Sequence, residues 1–319
     1  MRQVIPFRGK YRRFDAPLVI SEESVVSLRM TIHQAQQQLK VQLYDIHEPS
    51  EAEAIAAMVI ESMTGWKRID QIINKTLPLT KPQIAWLEQI TSELLMHRPV
   101  QYVLRECWFA NLRLFVDESV LIPRPETEEL VDWIIRDLKR VGSGVQSTRI
   151  LDIGTGSGCI ALALQSAMPS SAIFACDISQ KAIEVAARNA NTYQLPVNFI
   201  LADILASGAA SALPHIDVIV SNPPYIPQKG RASMNRNVVE FEPSIALFVP
   251  DDDALIFYRA IADFAKTNLT EEGSIYFEIH EGSANEIVQL LGELGWQNVE
   301  LRNDMQGKER MIRVQKVEK

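Results

Sequence analysis

The chain has 319 residues, 47% of them hydrophobic, with 32 Lys and Arg against 40 Asp and Glu for a net charge of −8. That length suggests about two domains, and no apolar run reaches membrane-spanning length, so a soluble globular protein is expected. The acidic balance disfavours a protein whose main task is gripping nucleic-acid phosphates. Cys107, Cys159 and Cys176 form no CxxC pair, which fits reduced thiols in the cytoplasm, and the N-terminus lacks the apolar core of a secretory signal.

Residues 1–29 differ from the rest of the chain. Arg2, Arg8, Lys10, Arg12 and Arg13 precede the first acid, Asp15, without helical period, and a poorly ordered extension is expected. Over residues 30–100 apolar residues recur at helical spacing, which predicts a domain of about four helices. Ser50-Glu51-Ala52-Glu53 reads as a capping box, and Thr80 with Gln83 repeats the device, with Pro82 in the first turn. Its apolar stripes are read as core.

Across 101–122 the period shifts towards two, over Trp108, Phe109, Leu112, Leu114, Phe115 and Val116, which predicts a β-hairpin linker. Arg124 lies between Pro123 and Pro125 at a fixed place that suits an anchor for substrate or cofactor as well as a structural ion pair. Pro125, Glu126 and Glu128 suit the start of a helix through Leu130, Val131, Trp133, Ile134 and Ile135. Residues 142–147 read as a flexible joint.

From residue 149 strands and helices alternate. Strands are expected at 149–152, 172–177, 197–202, 216–220 and 274–280, and helices at 159–168, 180–191, 254–269 and 285–294. Two closing strands, 298–302 and 310–315, have no helix between them. This order predicts an α/β domain over 123–319 built on a doubly wound, seven-stranded, Rossmann-like sheet with one antiparallel strand.

The strand at 149–152 leads into Asp152-Ile153-Gly154-Thr155-Gly156-Ser157-Gly158. Three glycines let the backbone turn tightly and approach a ligand, and the next helix aims its amides at it. Asp177 ends the second strand, placed to take two ribose hydroxyls. Asp203 ends the third, near where an adenine amino group would lie, with Ile204 beside it as an apolar ring contact. Gly156-Ser157-Gly158-Cys159-Ile160-Ala161 also fits a dinucleotide fingerprint. Asp152 weighs against that reading, because an acid before the glycines repels a pyrophosphate and suits a cationic amino-acid moiety carrying a sulfonium.

Asn222-Pro223-Pro224-Tyr225 follows the apolar run 216–220. Neither proline has an amide hydrogen, so the ladder stops there, at the sheet edge where open α/β folds bind ligands. The Asn222 side-chain oxygen and the Pro223 carbonyl, facing one point, would grip a planar NH2 such as a glutamine amide or an adenine amino group. Tyr225 offers a flat ring to a planar substrate. Glu242-Pro243, further on, suits either the lining of a substrate channel or a pin for this loop. The run Asp251-Asp252-Asp253 reads as helix N-terminal charge, the histidines show no metal spacing, and no metal is expected.

Asp-Ile-Gly-Thr-Gly-Ser-Gly, Asp177, Asp203 and Asn-Pro-Pro-Tyr together resemble a class I S-adenosylmethionine-dependent methyltransferase acting on a planar nitrogen. Val120-Leu121-Ile122-Pro123-Arg124-Pro125-Glu126-Thr127-Glu128, Phe241-Glu242-Pro243 and Gly307-Lys308-Glu309-Arg310 are similar to the peptide-chain release-factor glutamine methyltransferases, over residues from about 31 to 319. The related ribosomal-protein glutamine methyltransferases typically carry Ser where Pro125 stands. Arg105, Asn111 and His280 occupy positions where the family favours glycine, and Ile204 one that is commonly aromatic.

The resemblance implies methyl transfer from S-adenosyl-L-methionine, leaving S-adenosyl-L-homocysteine, to the glutamine amide nitrogen at the Gly-Gly-Gln tip of release factors, by a cytoplasmic monomer whose helical domain recognises substrate. It implies catalytic roles for Asn222, Pro223 and Tyr225. Asp152, Gly154, Thr155, Gly156, Ser157, Gly158, Asp177, Asp203, Ile204 and Asn222 would hold the cofactor. Asn222, Pro223, Pro224, Tyr225, Arg124 and Glu242 would meet the substrate. Three rivals carry other implications: adenine-N6 methylation of DNA or RNA, a nicotinamide dehydrogenase, and a translation-factor binding module with a dead cofactor pocket. The acidic balance opposes the first, Asp152 the second, and intact Asp177 and Asn222 the third.

Overall fold

The computed structural model describes residues 30–140, 148–206 and 215–316. Two compact units divide the chain, one ending at Arg105 and the other beginning at Glu106. The extension expected at 1–29 and the joint expected at 142–147 lie outside the described residues.

The first unit is helical: α1 (Ile32–Leu43), α2 (Pro49–Thr64), α3 (Arg68–Ile73), α4 (Lys81–Leu95) and α5 (Val100–Leu104). Leu39 and Leu43 of α1, Val59 and Ile60 of α2, and Ile90 and Leu94 of α4 meet in one buried core. Thr80 and Gln83 form the expected reciprocal capping box, and Thr31 with Gln34 forms a second. The box expected at Ser50 does not form. Pro49, whose fixed φ suits the first helical position, starts α2 two residues earlier, with Glu48 as N-cap, and leaves Ser50 inside the first turn. α5 is also a departure, since its residues read as the start of the hairpin segment. The Pro99 carbonyl accepts bonds from the Tyr102 and Val103 amides, and Val100 and Val103, three apart, both face the helical core.

The second unit opens with a short hairpin, β1 (Cys107–Phe109) and β2 (Leu112–Leu114). Its turn residues Ala110 and Asn111 have φ of 46° and 65°, the left-handed pair that suits a two-residue hairpin and that Asn tolerates. There follow α6 (Pro125–Arg140), β3 (Arg149–Ile153), α7 (Cys159–Ala167), β4 (Ala172–Asp177), α8 (Gln180–Tyr193), β5 (Val197–Leu201) and β6 (Ile216–Ser221). The chain continues through β7 (Ile226–Pro227), α9 (Arg236–Phe241), β8 (Phe248–Val249), α10 (Ile256–Asn268), β9 (Leu269–Glu278), α11 (Ala284–Glu293), β10 (Gln297–Asn303) and β11 (Glu309–Gln315).

The large sheet has seven strands in the order β10-β11-β9-β6-β3-β4-β5. β9, β6, β3, β4 and β5 run parallel, and β11 is antiparallel to both neighbours. Alternate residues of the central strands serve opposite faces. Leu151, Ile153, Ile219 and Phe277 pack with Ile261 of α10 and Ile287 of α11. Ile150, Val218, Val220 and Tyr276 pack with Trp133 of α6 and Leu162 of α7. Both faces are covered, which is why these strands read as continuous apolar runs.

β3 hands the chain on towards β4, and β6 hands it to β9 on the opposite side. The crevice beyond the carboxyl ends of β3 and β6 is therefore the point where strand order reverses, the usual ligand site of such sheets. Asn189 of α8, fully buried, holds this edge together. Its Nδ2 donates to the Phe115 carbonyl at 3.0 Å and the Ser157 carbonyl at 2.9 Å, and its Oδ1 accepts from the Phe115 amide at 2.7 Å. Replacing Asn189 with Ala leaves three buried backbone groups without those partners, and the unfolding free energy in urea should fall by about 3 kcal/mol.

Candidate active site

A cavity of about 260 Å³ opens at that crevice. Gly154 and Gly156 line it after β3, Asp177 at the end of β4 with Ile178 next to it, Asp203, Ile204 and Leu205 after β5, and Asn222, Pro223 and Pro224 after β6. Ser119, Val120 and Leu121 ahead of α6, Pro243, Ile245 and Ala246 beyond α9, and Phe257 and Ile261 of α10 also line it. The wall is mostly apolar with a few placed polar groups, as small-molecule sites are.

The glycine loop is tied to the neighbouring strand. The Gly154 and Thr155 amides donate to the Cys176 carbonyl at 2.9 and 3.0 Å. The Gly156 amide donates to Asp177 Oδ2, and the Ser179 amide to Asp177 Oδ1, each at 2.9 Å. Burial raises the Asp177 pKa, against those backbone donors. A Cβ on Gly154 or Gly156 would meet only open space within 4 Å, so bare backbone faces room where a ligand can lie. Gly158 is needed for another reason: its φ is +81°, and a Cβ there would come within 3.1 Å of Ala186 Cβ, where α7 begins against α8.

Asp152 does not face the cavity, contrary to the expectation that it meets a cationic ligand. It is fully buried beneath the loop, where its Oδ2 accepts from the Thr155 hydroxyl at 2.6 Å and the Ala161 amide at 3.3 Å. Thr155, Ser157 and Gly158 are likewise outside the lining, and the first two are buried. Asp152 Oδ1 accepts no bond from the described residues, and burial pushes the carboxyl from 3.8 up to about 7. Asp152 thus braces the loop whose Gly154 and Gly156 line the cavity.

Asn222 is held from both sides. The Ser221 hydroxyl donates to the Ile153 carbonyl at 2.7 Å and clamps the ends of β6 and β3 together. Asn222 Nδ2 donates to the Thr127 hydroxyl oxygen at 3.3 Å, and that hydroxyl donates to Glu278 Oε2 at 2.6 Å. Tyr225 is not part of the cavity wall. Its ring packs against the sheet core and on His280, with centroids 5.7 Å apart. Arg124 and Glu242 pair with each other at 2.6 Å, and Glu242 Oε2 also accepts from the Ile122 amide at 3.3 Å. Neither lines the cavity; the pair braces the segments that supply Leu121 and Pro243 to it. Asp253, in the acidic run, pairs with Arg259 at 2.6 Å.

Sequence reasoning missed Thr127, Glu278, Ile178 and Leu205. Ile178 and Leu205 are 50% and 42% exposed despite being large and apolar. Each lies one or two residues beyond a strand-end acid, and that position was the available signal. Glu278 had one too, as an acid inside the otherwise apolar run 276–279.

The buried carboxyl of Asp152 has a consequence for stability. Its folded pKa lies above its unfolded one, so the folded protein keeps a proton that the unfolded chain releases between about pH 4 and 7. Stability from this group is greatest below that window and is lost as pH rises through about 7, at up to about 1.4 kcal/mol per pH unit. Urea melts across this window should show that decline, and D152N should remove its part of it.

Comparison with known proteins supplies the lineage. Residues 32–104 match the PrmC N-terminal domain family, and residues 133–241 match the Methyltransferase small domain family. The release factor glutamine methyltransferase of Flavobacterium psychrophilum is 40% identical over 272 residues, which cover 85% of this chain and 94% of that protein. That of Bacteroides thetaiotaomicron is 34% identical, covering 86% of this chain and 96% of its own length. Among solved structures, a release factor-specific protein-(glutamine-N5) methyltransferase from Alicyclobacillus acidocaldarius is 31% identical with a TM-score of 0.38, covering 62% of this chain and 95% of that one. With identity at this level running almost the whole length of two relatives, the chain belongs to the release factor glutamine methyltransferase family.

Proposed function

We propose that this protein transfers a methyl group from S-adenosyl-L-methionine to the side-chain amide nitrogen of a glutamine in peptide-chain release factors. The observation that carries the reading is that Asn222 and Pro223 line the same cavity as Asp177 and Asp203. A grip for a planar NH2 and a nucleoside-shaped site thus share one wall. Membership of the family supports the choice of glutamine over adenine.

The residues fit the cofactor. Asp177 would take the two ribose hydroxyls, and Asp203 the adenine amino group. Ile178, Ile204 and Leu205 would pack on the ring, and the bare backbone at Gly154 and Gly156 would leave room for the amino-acid end. When bound, the cofactor supplies an electrophilic methyl on a sulfonium. A glutamine amide nitrogen is a poor nucleophile because its lone pair is delocalised. In our reading the Asn222 Oδ1 and the Pro223 carbonyl accept its two N–H bonds and fix it at the cavity wall. Such positioning removes up to about 7–11 kcal/mol of barrier in the best cases. The same acceptors favour the positive charge that grows on the nitrogen, and the proton then leaves to solvent.

The helical unit is assigned to recognition of the release factor, since it carries the family's own N-terminal domain. We propose a monomer, acting in the cytoplasm where release factors work. No helix of the described residues is long and apolar enough to cross a membrane.

N222A should lower kcat by about 100-fold or more while leaving the cofactor Kd within about threefold. D177A should do the reverse, weakening cofactor binding measured by calorimetry by about tenfold or more. Incubation with labelled cofactor should label release factor, and no label should appear when its Gly-Gly-Gln glutamine is replaced by Ala. Label on DNA or a ribosomal protein in its place would overturn the substrate assignment.

A further inference from the structure

The two ends of the Asn222 side chain are nearly the same size and opposite in hydrogen-bond sense. Only the oxygen end accepts from a target NH2; the nitrogen end would set donor against donor. Something must therefore fix which end faces the cavity. We propose that Glu278, acting through the Thr127 hydroxyl, is the positioning residue that keeps the Asn222 oxygen turned towards the substrate. The consequence for methyl transfer rests on the function proposed above; the orientation of the amide does not.

The three residues come from three elements. Asn222 follows β6 and Glu278 ends β9, its parallel neighbour, in which Ser221 pairs with Phe277. Thr127 lies in the first turn of α6. Thr127 and Glu278 are each 2% exposed, so bulk water does not replace either partner. A hydroxyl has one hydrogen. With Glu278 ionised, Thr127 donates that hydrogen to Oε2 across 2.6 Å, a distance typical of a charge-assisted bond. Thr127 then has only a lone pair left for Asn222, and the Asn222 nitrogen, 3.3 Å away, is the end that can use it. The Asn222 oxygen accepts no bond from the described residues and is left for the cavity.

The relay has a sense because the carboxylate is charged. Protonated Glu278 would become a donor to Thr127, whose hydrogen would then be free to meet the Asn222 oxygen and turn the amide round. The surroundings hold Glu278 near that balance. Burial and Glu126 favour the protonated form, while Thr127, Arg310 and Arg124 favour the charged one, with the net value pushed up to about 7. The ring of Tyr225 stands close, and the Tyr258 hydroxyl donates to the Glu278 carbonyl at 3.1 Å, fixing the backbone from α10.

The test uses the full chain with T127V, T127S and E278Q. The side-chain NH2 signals of Asn222, labelled with nitrogen-15 and assigned by their loss in N222D, are followed against pH without any ligand. They should titrate with a midpoint near 7 in the wild type and lose that titration in E278Q and T127V. Turnover should fall in T127V by about 10- to 100-fold with cofactor affinity within about twofold, and T127S should recover most of it. The acid limb of the kcat profile should disappear in E278Q. NH2 signals blind to Glu278, a T127V enzyme as fast as wild type, or T127S impaired as much as T127V would each overturn the relay. If T127V does not fold, the titration in E278Q and the rate of T127S decide. A wild type whose Asn222 signals titrate as stated but which methylates no glutamine leaves the relay standing and overturns the functional reading alone.

Discussion

The parallel pairing of β6 with β3 is the constraint on which the site depends. Ile150, Leu151, Asp152 and Ile153 lie opposite Val218, Ile219, Val220 and Ser221, so the two strands stop level. The Ser221 hydroxyl on the Ile153 carbonyl locks that edge. Past it the glycine loop leaves in one direction and Asn222-Pro223-Pro224 in the other. A shift of this register by one residue would send Asn222 to the wrong face and take it out of the cavity that it shares with Asp177 and Asp203.

Buried carboxylates do much of the positioning, and each is satisfied differently. Asp152 sits under the loop with one oxygen bonded and the other bare, and burial moves its pKa to about 7. Glu242 meets a guanidinium and a backbone amide and so keeps full partners. Glu278 has a hydroxyl and distant cations, which leaves it near neutrality at about 7. Where such a group finds all its partners, as Glu242 does, it stiffens its surroundings and favours one arrangement of the side chains around it.

Much of this was legible in the chain itself. Alternating strand and helix patterns, with a last pair of strands lacking a helix, pointed to the doubly wound sheet with its antiparallel β11. Asp177, Asp203 and Asn222 announce themselves because each stands at or within two residues of a strand end, and a strand end in such a sheet is a cavity edge. What stayed hidden depends on contacts distant in sequence. Nothing local says that Asp152 points under the loop and not out of it. The Thr127–Glu278 bond joins residues 151 apart, and the pair Arg124–Glu242 joins residues 118 apart. Where local signals misled, a stronger neighbour had overridden them, as Pro49 did at Ser50 and as burial of Val100 and Val103 did at α5.

Ile178 and Leu205 stand about half in water on the cavity wall. A nucleoside ring laid on them would strip off that hydration, so its binding should carry a negative heat-capacity change. By mass action the occupied fold is also harder to melt, by about 2.7 kcal/mol at a hundredfold excess over Kd. On the proposed function, the stability of the fold would then rise and fall with the supply of methyl donor.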